Sequence, residues 1–483
     1  MKKAPNALVG KIVGIFIFWT FLELLSFPSA QARVRLMLAV GDSIGEGVQS
    51  ADASLRTQRF SYVKFLAKQM GVRFPLPLIR SSPLGVVGNT TFRSRLEPHV
   101  EASNLSVSGA DVYSLLYDRA DASEEDEIDS ETDLVLFPRV GSQMEIVEAV
   151  GPRFLICWIG NNDVLSAALS FDELDGSQMT PVEEFEAGFK EIARRLDASG
   201  GDVVFANIPD VTKIGFLVDH QDLMKFLGSD FGLPEGHFTT IVVMLLIRLG
   251  LDDGRVLQNP DFVLDANEVE LIQERIEIFN EIINDAAESI GMPVVDINAL
   301  FDELDRNPPT FFGIPVTPRF LGGIFSLDGV HPSNIGHALA ANAFIETINS
   351  HFHRDIPLLS DRELHRIFLR DPFQDKDGDG RVRGRLGAGL LETLGPVLGI
   401  SGDGNDFVPD AFPTGVNAAS GRQFMQRFLA LQGKDPGVAS QWTRREAIEA
   451  FRYIFGLGAF DRWGRREMGE NEVILEHGGL DIN

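Results

Sequence analysis

Short apolar runs recur along this chain with helical patterns between them, and that alternation limits the fold more than any other feature. The runs are Val34 to Val40, Phe154 to Ile159, Val203 to Ile208 and Val294 to Ile297, with Leu105 to Val107 as a weaker fifth. Each is short and mostly apolar without polar alternation, which reads as a strand buried on both faces. The clearest helix starts after Asp265, where Asp265 can cap and Glu268 can answer it three residues later. Ile272, Ile276, Phe279, Ile283, Ala286 and Ile290 then step by four and three, forming one apolar face. Strands alternating with helices predict an α/β fold: a parallel five-strand sheet with helices on both sides. Ligands of such sheets sit beyond the carboxyl ends of the strands, so the loops that follow the runs become the place to look for chemistry.

The first run ends in Gly41-Asp42-Ser43-Ile44-Gly45-Glu46-Gly47, whose glycines let the backbone turn tightly and approach a ligand. A serine hydroxyl is a poor nucleophile at neutral pH unless a base takes its proton, and the base must be held in one tautomer. Asp328-Gly329-Val330-His331-Pro332-Ser333 can supply both parts. With Asp and His three residues apart on one loop, the carboxylate can reach one imidazole nitrogen while the other faces a serine. Ser333 is a natural N-cap for a helix beginning near Asn334. Taken singly, the Gly-Asp-Ser tripeptide is a weak signal and His331 would read as a hydrogen-bonded loop histidine. Acyl transfer also needs donors aimed at a developing oxyanion. Gly160-Asn161-Asn162-Asp163 and Asn104-Leu105-Ser106-Val107-Ser108-Gly109 both follow strands. They offer the Asn162 amide and the Gly109 N–H beside the N–H of Ser43. Capping a turn is the alternative task for Asn162.

Together and in this order, these four blocks resemble the SGNH or GDSL hydrolase superfamily; Ile44 stands where that family usually has leucine. The resemblance implies a three-layer α/β/α, flavodoxin-like fold and an esterase, lipase or related acyl hydrolase. It also implies Ser43 as nucleophile, His331 as base and Asp328 as its orienter. Ser43, Gly109 and Asn162 would form the oxyanion hole, with no metal or organic cofactor required. The expected substrate is a small-molecule or lipid ester, with a carbohydrate O-acetyl ester as the alternative. A rival class is a calcium-dependent surface or matrix binding protein on a hydrolase scaffold. The full set of catalytic residue types argues against it, because a scaffold does not need them all.

Ahead of the first run, Lys2, Lys3 and Lys11 precede the apolar stretch Ile12 to Phe27, and Ala30-Gln31-Ala32 matches a small-x-small cleavage pattern. Residues 1–32 therefore read as a signal peptide of an exported protein, periplasmic, extracellular or on the cell surface, with an uncleaved anchor as the alternative. No integral span is expected after cleavage. The net charge of −27 speaks against attraction to nucleic acid or anionic membranes. Cys157 is the sole cysteine, so no intrachain disulfide can form, and it reads as a small core residue.

The hydrolase domain is expected over 33–355. Within it, the acidic run from Asp118 to Asp133 lacks an apolar period and predicts a solvated loop. Residues 212–264 form an insertion whose apolar stretch Phe238 to Leu249 suits either a lid or an ordinary helix packed on the rim. The C-terminal region, 356–483, carries Gly- and Asp-rich turns and then helical patterns. Asp375, Asp377 and Asp379 with Gly380 match the first half of a calcium loop, but Leu386 occupies the closing position. Calcium and plain Gly/Asp turns both remain open there. His220, His237 and His337 have no partner motif and read as structural or surface groups.

Overall fold

A computed structural model describes residues 37–374, apart from 82–86, 89, 91–92, 170–173, 175 and 249–251, together with Lys376. The expected leader at 1–32, the candidate calcium ligands Asp375, Asp377 and Asp379, and nearly all the region after 376 lie outside the described residues.

Four parallel strands form the central sheet: β1 (Met37–Gly41), β2 (Phe154–Trp158), β3 (Asp202–Ala206) and β4 (Val294–Val295), hydrogen-bonded in that order. The fifth expected strand is reduced to a single parallel bridge between Ala39 and Asn104 on the open edge of β1. Its Ala39 N–H donates to Ser103 O at 3.0 Å, and the Leu105 N–H donates to Ala39 O at 2.8 Å. The Val107 N–H still donates to Gly41 O at 3.0 Å, but the Gly41 N–H that would continue the ladder is taken by the Gln143 side-chain oxygen at 2.9 Å. With this bridge counted, the chain order across the sheet is the flavodoxin-like 2-1-3-4-5. Val294–Val295 is shorter than expected because Ile297 already opens the helix Ile297–Arg306, capped by Asp296.

Pleat alternation sends neighbouring side chains to opposite faces. On one face Phe154 meets Phe352, and Trp158 meets Tyr62 and Phe344, from the packed helices Tyr62–Gln69 and Asn334–Phe352. On the other, Phe205 meets Phe189 of Val182–Ala198, which packs on Ala266–Ser289. Helices thus cover both faces of the sheet. The helix Ala266–Ser289 carries the expected capping box between Asp265 and Glu268, and Ile272, Ile276, Phe279, Ile283 and Ala286 are buried. Ile290 falls just past its end.

Three regions depart from the sequence expectations or choose between them. The acidic run is not simply a solvated loop. Ser130 caps a helix at Glu131–Leu136, and Asp133 is buried where it accepts the Asp121 and Ala122 N–H groups. Glu131 is buried against Arg93. In the insertion, Leu217–Val218 pairs with Thr239–Thr240 ahead of the helix Ile241–Arg248, whose Ile241, Val243 and Met244 are buried. The apolar stretch thus holds a helix packed on the main core. The boundary expected at 355 falls inside the packed body, since Leu359, Leu364, Phe368 and Phe373 join the main core. Apolar burial therefore continues to Phe373, and the polar Gln374 beside it is buried too. Among the described residues, no helix is long and apolar enough to cross a membrane.

Candidate active site

Ser43 opens the four-residue helix Ser43–Glu46 directly after β1, with Asp42 as its N-cap accepting the Ile44 N–H at 2.9 Å. The turn into it requires glycine: Gly41 has φ +154°, and a Cβ there would lie 2.3 Å from the Trp158 carbonyl oxygen. The Gln143 amide locks the same residue, accepting its N–H and donating to its carbonyl, both at 2.9 Å.

The fold brings the two distant sequence blocks together. Ser43 Oγ lies 2.9 Å from His331 Nε2, and His331 Nδ1 lies 2.7 Å from Asp328 Oδ2. A carboxylate only accepts, so Nδ1 carries the hydrogen and Nε2 is left to accept from the serine. All three side chains are buried. Asp328 is held from several sides: Oδ1 accepts the Val330 N–H at 3.0 Å, the His331 N–H at 2.9 Å and the Ser326 hydroxyl at 3.1 Å. Oδ2 also accepts the Ala51 N–H at 3.1 Å. Burial alone would raise its carboxyl, but the neighbouring His331 and these donated bonds outweigh burial and hold it below the ordinary aspartate range. The insertion braces this loop, as the Phe216 N–H donates to Gly329 O at 2.9 Å.

Gly109 sits at φ +79° in the loop after the reduced strand. Asn162 opens the helix Asn162–Leu169, and its Nδ2 donates to Ala110 O at 2.7 Å. This bond ties Asn162 to the Gly109 loop while a primary amide still has a second N–H to offer. Next to it, Asn161 Nδ2 donates to Asp42 Oδ2 at 2.7 Å.

Against this geometry stands the match to a known family: the GDSL-like lipase/acylhydrolase description fits residues 37–344. The chain belongs to that family. This acylhydrolase is an ester-bond hydrolase. Among curated proteins, none matches it. Two similar solved structures are an alpha/beta hydrolase enzyme from the metagenome of Lake Arreo and an acetylxylan esterase from Geobacillus stearothermophilus. Each is 16% identical and covers 65% of this chain and 94% of its own, with TM-scores of 0.33 and 0.32.

The acylhydrolase has a cavity of about 40 Å³ lined by Ile44, next in the chain to Ser43, and by Asn161, Trp158, Leu165, Leu300 and Leu304. Burial pushes the Asp42 carboxyl up to about 6, against the opposing hydrogen bonds from Asn161 and Ile44. Burial also pushes the Cys157 thiol up, which keeps it protonated and inert in the core. It pushes the His337 imidazole down to about 3, so that buried ring is neutral. Among the described residues, no group of three or more His, Cys, Asp or Glu could hold a metal. Sequence reasoning missed Gln143, Ser326 and Ala51, all of which hold the site. Gln143 lies 102 positions from Gly41, and Ala51 lies 277 from Asp328, with no motif linking either pair. Glu46 stood inside a quoted motif, but only its distant partner shows what it does.

Proposed function

We propose that this acylhydrolase is an exported serine esterase that works through an acyl-enzyme and takes esters with acyl groups larger than acetyl. The observation that carries the mechanism is the continuous hydrogen-bonded path from Ser43 through His331 to Asp328. His331 Nε2 takes the hydroxyl proton as Ser43 Oγ attacks the ester carbonyl, and the buried Asp328 carboxylate stabilises the imidazolium that forms. The Ser43 and Gly109 N–H groups and the Asn162 amide receive the oxyanion. Collapse expels the alcohol, which takes the proton from His331. Water then repeats the sequence in reverse, releasing the acid and restoring the Ser43 hydroxyl. Base, orienter and donors all come from the chain, so the proposed reaction needs no cofactor.

The apolar cavity lined by Ile44, the residue after Ser43, supports the acyl preference, because apolar walls reward a hydrocarbon chain and have few partners for a sugar hydroxyl. Export rests on the basic and apolar pattern of residues 1–32.

The test is hydrolysis of a chromogenic ester series from acetyl to palmitoyl by the mature protein and by Ser43→Ala, with and without chelator. Turnover lost in Ser43→Ala, insensitive to chelator and best above acetyl, is the expected result. A maximum at acetyl points to O-acetyl ester substrates instead. Equal signals from both proteins on every ester would end the serine reading. Export is checked by the mass of the mature N-terminus, expected to begin after Ala32.

A further inference from the structure

Glu46 is fully buried three residues after the nucleophile, and the proposed chemistry makes no use of it. Its Oε2 accepts both the Ser108 backbone N–H, at 2.9 Å, and the Ser108 hydroxyl. Ser108 immediately precedes Gly109, and on the far side of Gly109 the Ala110 carbonyl accepts the Asn162 amide at 2.7 Å. Gly109 therefore hangs between two anchors, one on the helix of Ser43 and one on the helix of Asn162.

An acid in this position is costly. Burial first, and then the nearby Glu131, push the Glu46 carboxyl well above the usual glutamate range, while Arg93 and the Ser108 bonds oppose them. Arg93 is itself buried, bonds to Glu131, donates to Ala53 O at 3.1 Å and lies 3.9 Å from Glu46 Oε1. A buried carboxylate with one cation shared between two acids gains little stability from the arrangement. What it does provide is a single oxygen on which two donors of one residue converge, giving Ser108, the residue ahead of Gly109, one orientation.

We propose that Glu46 is a positioning residue which, through Ser108, sets the Gly109 N–H against the Ser43 N–H and so fixes the oxyanion hole. The proposal rests on the serine-esterase reading. It predicts an effect on the transition state and little on substrate binding, because the loop is held at the reacting carbonyl and not along the acyl cavity.

The experiment uses the full chain and four variants: Glu46→Ala, Glu46→Gln, Ser108→Ala and Ser43→Ala. For each folded variant, kcat and KM are measured on the best chromogenic ester, with active sites counted by a fluorophosphonate, together with Ki for a trifluoromethyl ketone whose adduct carries the oxyanion. Glu46→Ala is expected to lower kcat per active site about ten- to hundred-fold, with KM within about threefold and Ki rising in parallel. Glu46→Gln keeps an acceptor for the Ser108 N–H and recovers most of the loss. Ser108→Ala removes one of the two donors and lowers kcat by about three- to tenfold.

The proposal is overturned if folded Glu46→Ala keeps its kcat and Ki per active site. If Glu46→Ala does not fold, unchanged kcat and Ki in Ser108→Ala overturn it equally. Retained turnover in Ser43→Ala is a different failure, since it removes the serine reading itself.

Discussion

Asp371 Oδ2 accepts the Ile335 N–H at 2.9 Å, so a carboxylate 36 residues downstream caps the helix that begins three residues after His331. Gln374 adds to the clamp, donating from Nε2 to Gly323 O at 2.6 Å and to Ser333 Oγ at 3.3 Å. Ser333 in turn donates to Gly323 O at 2.6 Å. The loop carrying His331 is thus held by a segment beyond the residues that match the family, 37–344.

Removing this clamp is expected to destabilise and slow the enzyme. Asp371→Ala leaves a buried N–H unpaired at a helix start, costing about 1–3 kcal/mol in urea unfolding. A chain ending at residue 376 keeps ester turnover, whereas one ending at 355 loses it along with Leu359, Leu364, Phe368 and Phe373. Equal activity of the two truncations would show that the clamp does not matter.

Asp42 gives a pH dependence with a definite sign. Its carboxyl titrates near 6 in the fold against an ordinary 3.8, so the folded protein binds this proton more tightly than the unfolded chain does. The contribution is fully present below pH 3.8 and is lost as pH rises through 6. Stability of the wild type relative to Asp42→Asn should therefore fall across that window by on the order of 3 kcal/mol, then level off. Urea unfolding of both proteins at pH 4 and pH 7 reads this directly, and a constant difference would refute it.

Filling the cavity should shorten the preferred acyl chain. Leu304 lies on its wall, so Leu304→Trp is expected to cut kcat/KM for an octanoyl ester about tenfold or more and to leave an acetyl ester within about threefold. An unchanged chain-length profile would place the acyl group elsewhere.

In the core, Phe185 and Phe279 stack face to face across the helices Val182–Ala198 and Ala266–Ser289, both fully buried. Phe279→Ala should cost about 3–5 kcal/mol of stability, measured by urea unfolding, with turnover per folded molecule unchanged. A loss under about 1 kcal/mol would mean that the neighbouring helices collapse into the space.

Local spacing made several parts legible in the chain itself. Buried strands announced themselves as short, mostly apolar runs at Phe154, Val203 and Val294, and the long helix by its Asp265 and Glu268 box and its four-and-three apolar steps. Asp328 and His331 share one loop, so their pairing too was within reach of a three-residue spacing. Each of these depends on neighbours within a turn or two, and such neighbours are fixed by backbone geometry.

Everything that joins remote segments was decided by the tertiary structure. Ser43 meets His331 across 288 residues, Glu131 is buried because Arg93 arrives beside it, and Ser108 gives Glu46 its purpose. The fifth strand faded to a bridge because the distant Gln143 takes the Gly41 N–H that would extend it, and the apolar cavity exists only where remote helices and strands converge. The physical reason is that side-chain period encodes which face of an element is buried but not what that face will meet. The partner is chosen by the packing of the whole chain.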